Sequence, residues 1–433
     1  MNKLPFFLKN LLFSPVYAQG DILIGYASQT GTAKGLAVQS AELLRAQGQN
    51  VSCLPLAQVD ISELDHYQNI ILFISTCGEG DIPDNGVAFY QRLQERTAQL
   101  LTPVSIFAIG DSSYGQFCEA GKRFHQQFLR LGASQDDTLQ MVDGAPHTAW
   151  QQWFSTFSGI RQDDIAVNEP LTLNFTLIER KPLHGEQCSP GRGAYSLQLA
   201  PADQARTFKS GDLLGITPPN EKRERLYSIS AVSNDRIELC IGKVSYEEDG
   251  EQKVGLCSDY LIEQLTIGDT IAMTYRQQGG LVLPEPEQPL LMVATGTGIA
   301  PMMCLLRERQ QNQDSADNWL VFGNRHPDQD YFYKEDLQQL QGAGTLTRLD
   351  LAFSRQGEQK VYVQNVLAEQ QEHVLDWLLH RQARLYVCGQ TGLKDGIGDI
   401  LQQALIARLN DTEQAVQHYQ QLLDQEQIVF ELY

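Results

Sequence analysis

Two short stretches carry side chains able to grip an anion. In Arg225-Leu226-Tyr227-Ser228-Ile229-Ser230, a guanidinium, an aromatic ring and two hydroxyls stand close together inside an apolar segment. Alternate side chains of a strand share a face. Arg225, Tyr227 and Ile229 therefore point one way, and Leu226, Ser228 and Ser230 the other. Such a strand offers a cation, an aromatic plate and hydroxyls to one flat, anionic ligand. In Ser28-Gln29-Thr30-Gly31-Thr32-Ala33, hydroxyls and a glycine precede a helical pattern through Leu36, Ala37, Ser40, Leu43 and Leu44. Backbone N–H groups and the dipole at a helix start favour an anion, and Ser/Thr hydroxyls complete its hydrogen bonds. No lysine follows this turn as in a nucleotide P-loop, so the expected ligand is a monophosphate.

These residues need elements to hold them. The phosphate turn follows a short apolar strand over 21–26. Two further apolar strands, 70–74 and 104–109, lead into Ser75-Thr76-Cys77-Gly78-Glu79-Gly80-Asp81 and Gly110-Asp111-Ser112-Ser113-Tyr114-Gly115-Gln116-Phe117-Cys118. In a parallel sheet, loops after strands gather at one end, where ligands bind at the switch point. Glycines let backbone approach a flat ring, and Tyr114 can stack on it. On these three loops the sequence resembles flavodoxin-type FMN domains, specifically those of the diflavin reductases. The resemblance implies a doubly wound parallel sheet, with FMN held by Ser28 to Ala33, by Ser75, Thr76, Cys77 and Gly78, and by Gly110, Asp111, Tyr114, Phe117 and Cys118. Cys77 stands where many relatives have a tyrosine. Asp143 is either a flavin or ribityl contact or a solvated carboxylate.

A polar linker is expected over 158–170. Beyond it the period changes to two, in Leu173-Phe175-Leu177, Tyr195-Leu197-Leu199 and Ile237-Leu239-Ile241, with Gly, Pro and Asn turns between. This reads as a small antiparallel barrel, with Arg225 to Ser230 in its middle. Gly255-Leu256-Cys257-Ser258 then opens a helix, a second anion seat within reach of Arg225. Together they resemble the FAD-binding half of the ferredoxin–NADP reductase fold. The FAD contacts implied are Arg225, Leu226, Tyr227, Ser228, Cys240, Ile241, Gly242, Tyr246, Gly255, Leu256, Cys257, Ser258 and Tyr433.

An apolar strand over 289–294 precedes Thr295-Gly296-Thr297-Gly298-Ile299-Ala300-Pro301, which matches the same family's pyridine-nucleotide domain, a Rossmann-like lobe. After a later strand come Ser354, Arg355 and Lys360, a hydroxyl and two cations suited to the 2′-phosphate that NADPH has and NADH lacks. Tyr362 can stack on the adenine. With Gly296, Thr297, Gly298, Gln364 and Asp395 (or Asp399) they make the expected NADPH site. The resemblance further implies that Ser228, Cys388 and Glu431 assist hydride transfer, and that Tyr433 covers the FAD ring until nicotinamide displaces it. Many relatives carry aspartate at the position of Glu431.

The expected layout is thus a leader over 1–20, an FMN domain over 21–157, the linker, a FAD-binding barrel over 171–285 and an NADPH-binding α/β domain over 286–433. A chain of 433 residues suits two to three domains. A net charge of -20 excludes generic nucleic-acid binding, which needs clustered Lys and Arg. The eight cysteines are scattered without CxxC spacing, which argues against a zinc site or disulfide scaffold and for a reducing, cytoplasmic compartment. The apolar leader is interrupted by Lys9 and Asn10 and is too short to span a bilayer; at most it offers a peripheral foothold.

The implied reaction passes electrons from NADPH to FAD, then FMN, then a one-electron acceptor, with a haem protein expected first. A ferric or other metal-chelate reductase and a sulfite reductase flavoprotein are the alternatives. An FMN carrier or scaffold with an inactive reductase half is the reading from another class. Larger relatives insert a helical connecting domain ahead of the Arg225 strand. Here Gly211 to Ile216 runs almost directly into Arg225, which weighs against the sulfite reductase role. No motif encodes the acceptor or the oligomeric state.

Overall fold

The computed structural model describes residues 21–433 apart from 29–30, 78–79, 113–114, 134–138, 145, 166–170, 189–191, 204–205, 222–223, 234, 249, 278–279 and 358. Gln29, Thr30, Gly78 and Tyr114, and the 1–20 leader, lie outside the described residues. The chain forms two compact units, one ending at Glu169 and the other beginning at Pro170.

The first unit is a five-stranded parallel sheet in the order β2-β1-β3-β4-β5: β1 Ile22–Ala27, β2 Val51–Pro55, β3 Asn69–Ser75, β4 Val104–Gly110 and β5 Leu139–Asp143. Helices α1 (Thr32–Ala46), α2 (Asp84–Glu95), α3 (Glu119–Arg130) and α4 (His147–Ser158) complete it. Its strands are runs of apolar residues because both faces are covered. One side packs Leu23, Leu72 and Phe124; the other packs Ile24, Phe73, Phe107 and Trp150. Within the expected linker, Ile165 is buried, and Gln151 Nε2 donates to the Gln162 and Ile165 carbonyls. An apolar side chain has folded that part of the segment back onto the first core.

The second unit joins a barrel to a second parallel sheet. Six strands close the barrel in the order β10-β7-β6-β13-β8-β9: β6 Leu171–Pro182, β7 Ala194–Pro201, β8 Leu213–Ile216, β9 Arg225–Val232, β10 Ile237–Gly242 and β13 Thr270–Arg276. A hairpin of β11 (Ser245–Glu248) and β12 (Glu251–Val254) precedes the short helix α5, Leu256–Asp259. β8 and β9 pair antiparallel with Ile216 opposite Arg225, so only residues 217–224 separate the two strands in the sequence.

The parallel sheet runs β16-β15-β14-β17-β18: β14 Leu290–Thr295, β15 Asn318–Asn324, β16 Arg348–Phe353, β17 Arg384–Gly389 and β18 Ile428–Leu432. Its helices are α6 (Ile299–Gln311), α7 (Lys334–Gly342), α8 (Val363–Glu369), α9 (Gln371–Leu375), α10 (Leu393–Leu409) and α11 (Thr412–Asp424). The first turns of α6, from Ile299 to Leu306, are buried on nearly every side. A helix apolar all round is an enclosed helix; this one lies between the sheet and the barrel. Alternation along the barrel strands does the rest. Ile229 and Leu239 fill the barrel, while Ser230 and Glu238 meet the sheet lobe through Tyr333 and Arg307. No helix among the described residues is long and apolar enough to cross a membrane.

Candidate functional site

In the first unit the register places Ala27 beside Ile74, Ser75 beside Ile109 and Gly110 beside Asp143, so three loops leave the sheet at one end. The Ser28 N–H donates to Asn85 Oδ1 at 3.0 Å, and Ser75 Oγ donates to the Ala27 carbonyl at 3.2 Å. Gly31 caps α1 at φ +83° without a side-chain hydrogen bond, and a Cβ there would meet nothing within 4 Å. The helix start therefore faces open space. Ser28 Oγ and Thr76 Oγ1 are buried without a partner. Burying a hydroxyl unpaired is costly, and two such groups beside a helix N-terminus describe a cradle for an anion. Ala33, by contrast, packs in the core, leaving only its backbone for a ligand.

The other two loops brace each other. Gly80, at φ +108°, lies so close to Gln116 that a Cβ would stand 2.3 Å from its Oε1. Asp143 accepts from the Ser112 N–H at 3.0 Å and from the Ser112 hydroxyl. Its carboxylate thus ties down the third loop. Cys118, at φ +52°, is buried, with its thiol against the Ala108 and Val142 carbonyls at 3.5 and 3.8 Å. Burial raises that thiol to about 11. Cys118 supports the loop from beneath, while Asp111, Phe117 and Cys77 are half-buried at its surface.

In the second unit, tertiary structure gathers residues far apart in sequence. Ser228 Oγ donates to Glu431 Oε1 at 2.7 Å. Glu431 sits on β18 beside Cys388 of β17. Burial pushes the Glu431 carboxyl above its ordinary range, with Ser228 opposing, and pushes the Cys388 thiol well up. Tyr433 follows β18, and its N–H donates to the Gly389 carbonyl at 3.0 Å. The residue is 61% exposed, yet its hydroxyl end is enclosed: Thr297 Oγ1 lies 2.8 Å from the phenol, which also donates to the Thr295 carbonyl at 3.3 Å. Burial of that end raises the phenol. The Gly296–Gly298 turn passes β17 so closely that a Cβ on Gly298 would stand 2.2 Å from the Cys388 carbonyl oxygen. A Cβ on Gly242 would stand 2.9 Å from Thr297 Cγ2, which brings the end of β10 against the same turn.

Around the barrel, Arg225 is exposed and its charge acts on the Cys257 thiol, so the guanidinium lies by the start of α5. Tyr227 packs partly against the barrel core, and burial raises its phenol. Leu226, Tyr246 and Leu256 are exposed, whereas Cys240 and Ile241 are core residues. Ser258 Oγ donates to the Gly255 carbonyl at 2.9 Å, closing the first turn of α5. At the ends of β15 and β16, the Ser354 and Arg355 N–H groups donate to the Asn324 and Arg325 carbonyls at 2.9 and 2.8 Å. Arg355, Lys360, Tyr362 and Asp395 are exposed there, and Gln364 lies against Gly396 of α10.

A flavodoxin family model matches residues 24–154, and an oxidoreductase NAD-binding domain model matches residues 292–398. The chain is 26% identical to the sulfite reductase (NADPH) flavoprotein alpha-component of Bacillus subtilis over 497 positions, covering 85% of this chain and 82% of that one. Against the Photorhabdus laumondii protein of the same name it is 28% identical over 503 positions, covering 86% and 83%. The chain thus carries a flavodoxin domain and an oxidoreductase NAD-binding domain, and its relatives are sulfite reductase flavoprotein components, members of the diflavin reductase family.

The cofactors of these domains are FMN, FAD and NADPH. The residues present fit them: orphaned hydroxyls at a helix start suit a phosphate, an exposed arginine beside α5 suits a second, and the half-buried Ser354 with exposed cations after β16 suits a third. Both alignments are longer than the whole 433-residue chain, so the relatives carry residues with no counterpart here.

Three residues that the motifs do not single out lie close to the expected contacts. Arg325 directly follows β15, and burial together with the charges of Arg192 and Arg355 pulls its guanidinium down. Its place after a parallel strand was a usable signal. Arg192 had none, because it comes from the barrel. Gly185 of the same β6–β7 loop donates to the Gln329 carbonyl at 2.9 Å and brings that loop to the sheet. Thr295 Oγ1 is buried without a partner beside Gly389.

Proposed function

We propose that this diflavin reductase oxidises NADPH and delivers electrons singly to a separate acceptor protein, in the manner of a sulfite reductase flavoprotein component. The observation that carries the reading is the Ser228–Glu431–Cys388 constellation beneath Tyr433, built where the barrel meets the nucleotide lobe. The bound flavins supply the two-electron to one-electron conversion that no side chain performs. The chain's own residues orient and exclude. Ser228 and Glu431 hold a polar, proton-bearing contact at the seam, Cys388 keeps a thiol there, and Tyr433 shields both from water until nicotinamide arrives. Arg355, Ser354 and Lys360, joined by Arg325 and Arg192, select the 2′-phosphate. Arg225 and α5 seat the FAD pyrophosphate, and Ser28 to Ala33 with Thr76 seat the FMN phosphate. The eight cysteines, scattered along the chain without CxxC spacing, support a reducing, cytoplasmic location.

The motifs alone favoured a haem protein as acceptor; the shared name of the relatives supports the sulfite reductase assignment better. One observation keeps a second reading. Only residues 217–224 separate β8 from β9 in the sequence, too few for an inserted domain, and this supports a different acceptor, a haem protein or a ferric chelate. The test is NADPH oxidation by the purified chain with sulfite reductase haemoprotein, cytochrome c or a ferric chelate as acceptor. Saturable, fast turnover with the haemoprotein is the expected result. Fast reduction of ferric chelate alone overturns the first reading.

A further inference from the structure

A buried polar cluster ties the FAD barrel to the nucleotide lobe, close to the seam described above. Glu238 of β10 is 9% exposed and Ser230 of β9 is fully buried. Ser230 Oγ donates to Glu238 Oε1 at 2.9 Å, and the Tyr333 hydroxyl donates to the same oxygen at 2.8 Å. Arg307 of α6 donates to the Ser230 carbonyl at 3.1 Å and lies 3.2 Å from Glu238 Oε1, while its other Nη meets Asp336 at 2.6 Å. Its guanidinium also rests over the Tyr333 ring, 5.3 Å from the centroid.

Three features distinguish this cluster from ordinary seam packing. First, Ser230 lies two residues beyond Ser228 on the same face of β9, and Arg307 lies on α6, the helix that begins directly after the Gly296–Gly298 turn. The cluster therefore links the strand bearing Ser228 to the helix anchoring the nicotinamide turn. Secondly, Tyr333 holds a left-handed backbone conformation at φ +57°. For a bulky residue that is a strained state, kept only where its surroundings over-determine it. Thirdly, Tyr333 packs in one buried cluster with Cys240 and with Cys388, the residue paired to Glu431. An apolar seam can slide with little cost, whereas an ionic, hydrogen-bonded one specifies a register.

We infer that Glu238, Tyr333, Ser230 and Arg307 are positioning residues for hydride transfer, a clamp that sets the separation between the FAD-bearing strand and the nicotinamide turn. The inference rests on Ser228 marking the hydride site. Transfer over a short donor–acceptor distance is steeply sensitive to misplacement, so loosening the clamp slows the chemical step without removing any group that touches either ring.

The test is rapid-mixing reduction of the FAD in full-length holoprotein by NADPH and by NADPH deuterated at the transferred position. Tyr333→Phe keeps the ring and removes the hydroxyl. It is expected to slow FAD reduction about tenfold and to make the isotope effect larger and more temperature-dependent, with the NADPH Kd and FAD content unchanged. Amide exchange of Leu226 to Ile229 should also quicken. Ser230→Ala should move the same readouts in the same direction by less. An isotope effect and reduction rate equal to wild type in both variants overturn the clamp. A rate loss accounted for wholly by lost FAD, with a normal isotope effect, overturns it too, because that outcome is a structural role. Should Tyr333→Phe fail to retain FAD, Ser230→Ala and Glu238→Asp decide the matter by the same readouts. Failure of the wild-type protein to oxidise NADPH would instead overturn the proposed function.

Discussion

Ser228 of the barrel donates its hydroxyl proton to Glu431 of the last strand across 2.7 Å, although the two stand 203 positions apart in the chain. The bond joins two lobes at the point where Cys388 and Tyr433 also converge. Each partner is an ordinary strand residue on its own. Their meeting creates a half-buried, hydrogen-bonded carboxyl.

The pH dependence of that carboxyl has a definite sign. Burial raises Glu431 above its ordinary value of 4.5 in the folded protein. A raised acid contributes its stability in full below the unfolded value and loses it as pH rises through the folded one. Glu431→Gln, which still accepts from Ser228, should therefore gain in Tm relative to wild type as pH climbs from the ordinary carboxyl range. The gain should level off once the native carboxyl is ionised. A Tm difference independent of pH between 4 and 8, measured by calorimetry at about one-unit steps, would contradict the burial argument.

Arg355→Ala should raise the KM for NADPH about 10- to 100-fold, the weight of a charge-assisted contact to phosphate, with little change for NADH. Arg325→Ala should act in the same direction, since it shares a cationic patch with Arg355 and Arg192. Steady-state kinetics with both nucleotides check this. An equal effect on NADH would remove these residues from the 2′-phosphate site.

Tyr433→Phe tests the phenol's grip on Thr297 and the Thr295 carbonyl. Losing one or two neutral hydrogen bonds should ease displacement of the ring by about 2- to 10-fold, read as tighter NADPH binding at unchanged kcat. Binding that is unchanged or weaker would mean that the phenol does not compete with nicotinamide.

Thr76→Val should split two properties in opposite directions. The buried hydroxyl has no protein partner, so replacing it with a methyl should stabilise the flavin-free first unit by about 1 kcal/mol. The same change should weaken FMN retention about tenfold and leave FAD content intact. Flavin analysis and denaturant unfolding measure both; a loss of stability in the FMN-free protein would count against the cradle.

Gly298→Ala should cost about 1–3 kcal/mol, because the added Cβ would stand 2.2 Å from a backbone carbonyl that cannot give way. The expected readout is a lower Tm for the second unit, with FMN binding by the first unchanged.

Much of this molecule is written in local pattern. Apolar runs followed by hydroxyl and glycine loops marked the three turns of the first sheet, and period-two alternation marked the barrel, because strand type follows from which faces are covered. Within the expected linker, Ile165 is buried and Ile160 packs partly against the first core, which a polar composition does not reveal. Asp143 and Cys118 show a further limit. Their types suited a flavin contact, and only the packing shows that both also hold the third loop.

The sequence by itself determined the fold class and the three turns that follow strands of the first sheet, because these depend on interactions between near neighbours in the chain: strand alternation, helix starts and glycine turns. Tertiary structure alone decided which side chains meet. Ser228 with Glu431, Thr297 with Tyr433, Arg192 with Arg325 and Glu238 with Tyr333 are pairs whose members lie on different elements. No local propensity encodes such pairs; they follow from how a closed barrel and a twisted sheet bury their shared seam.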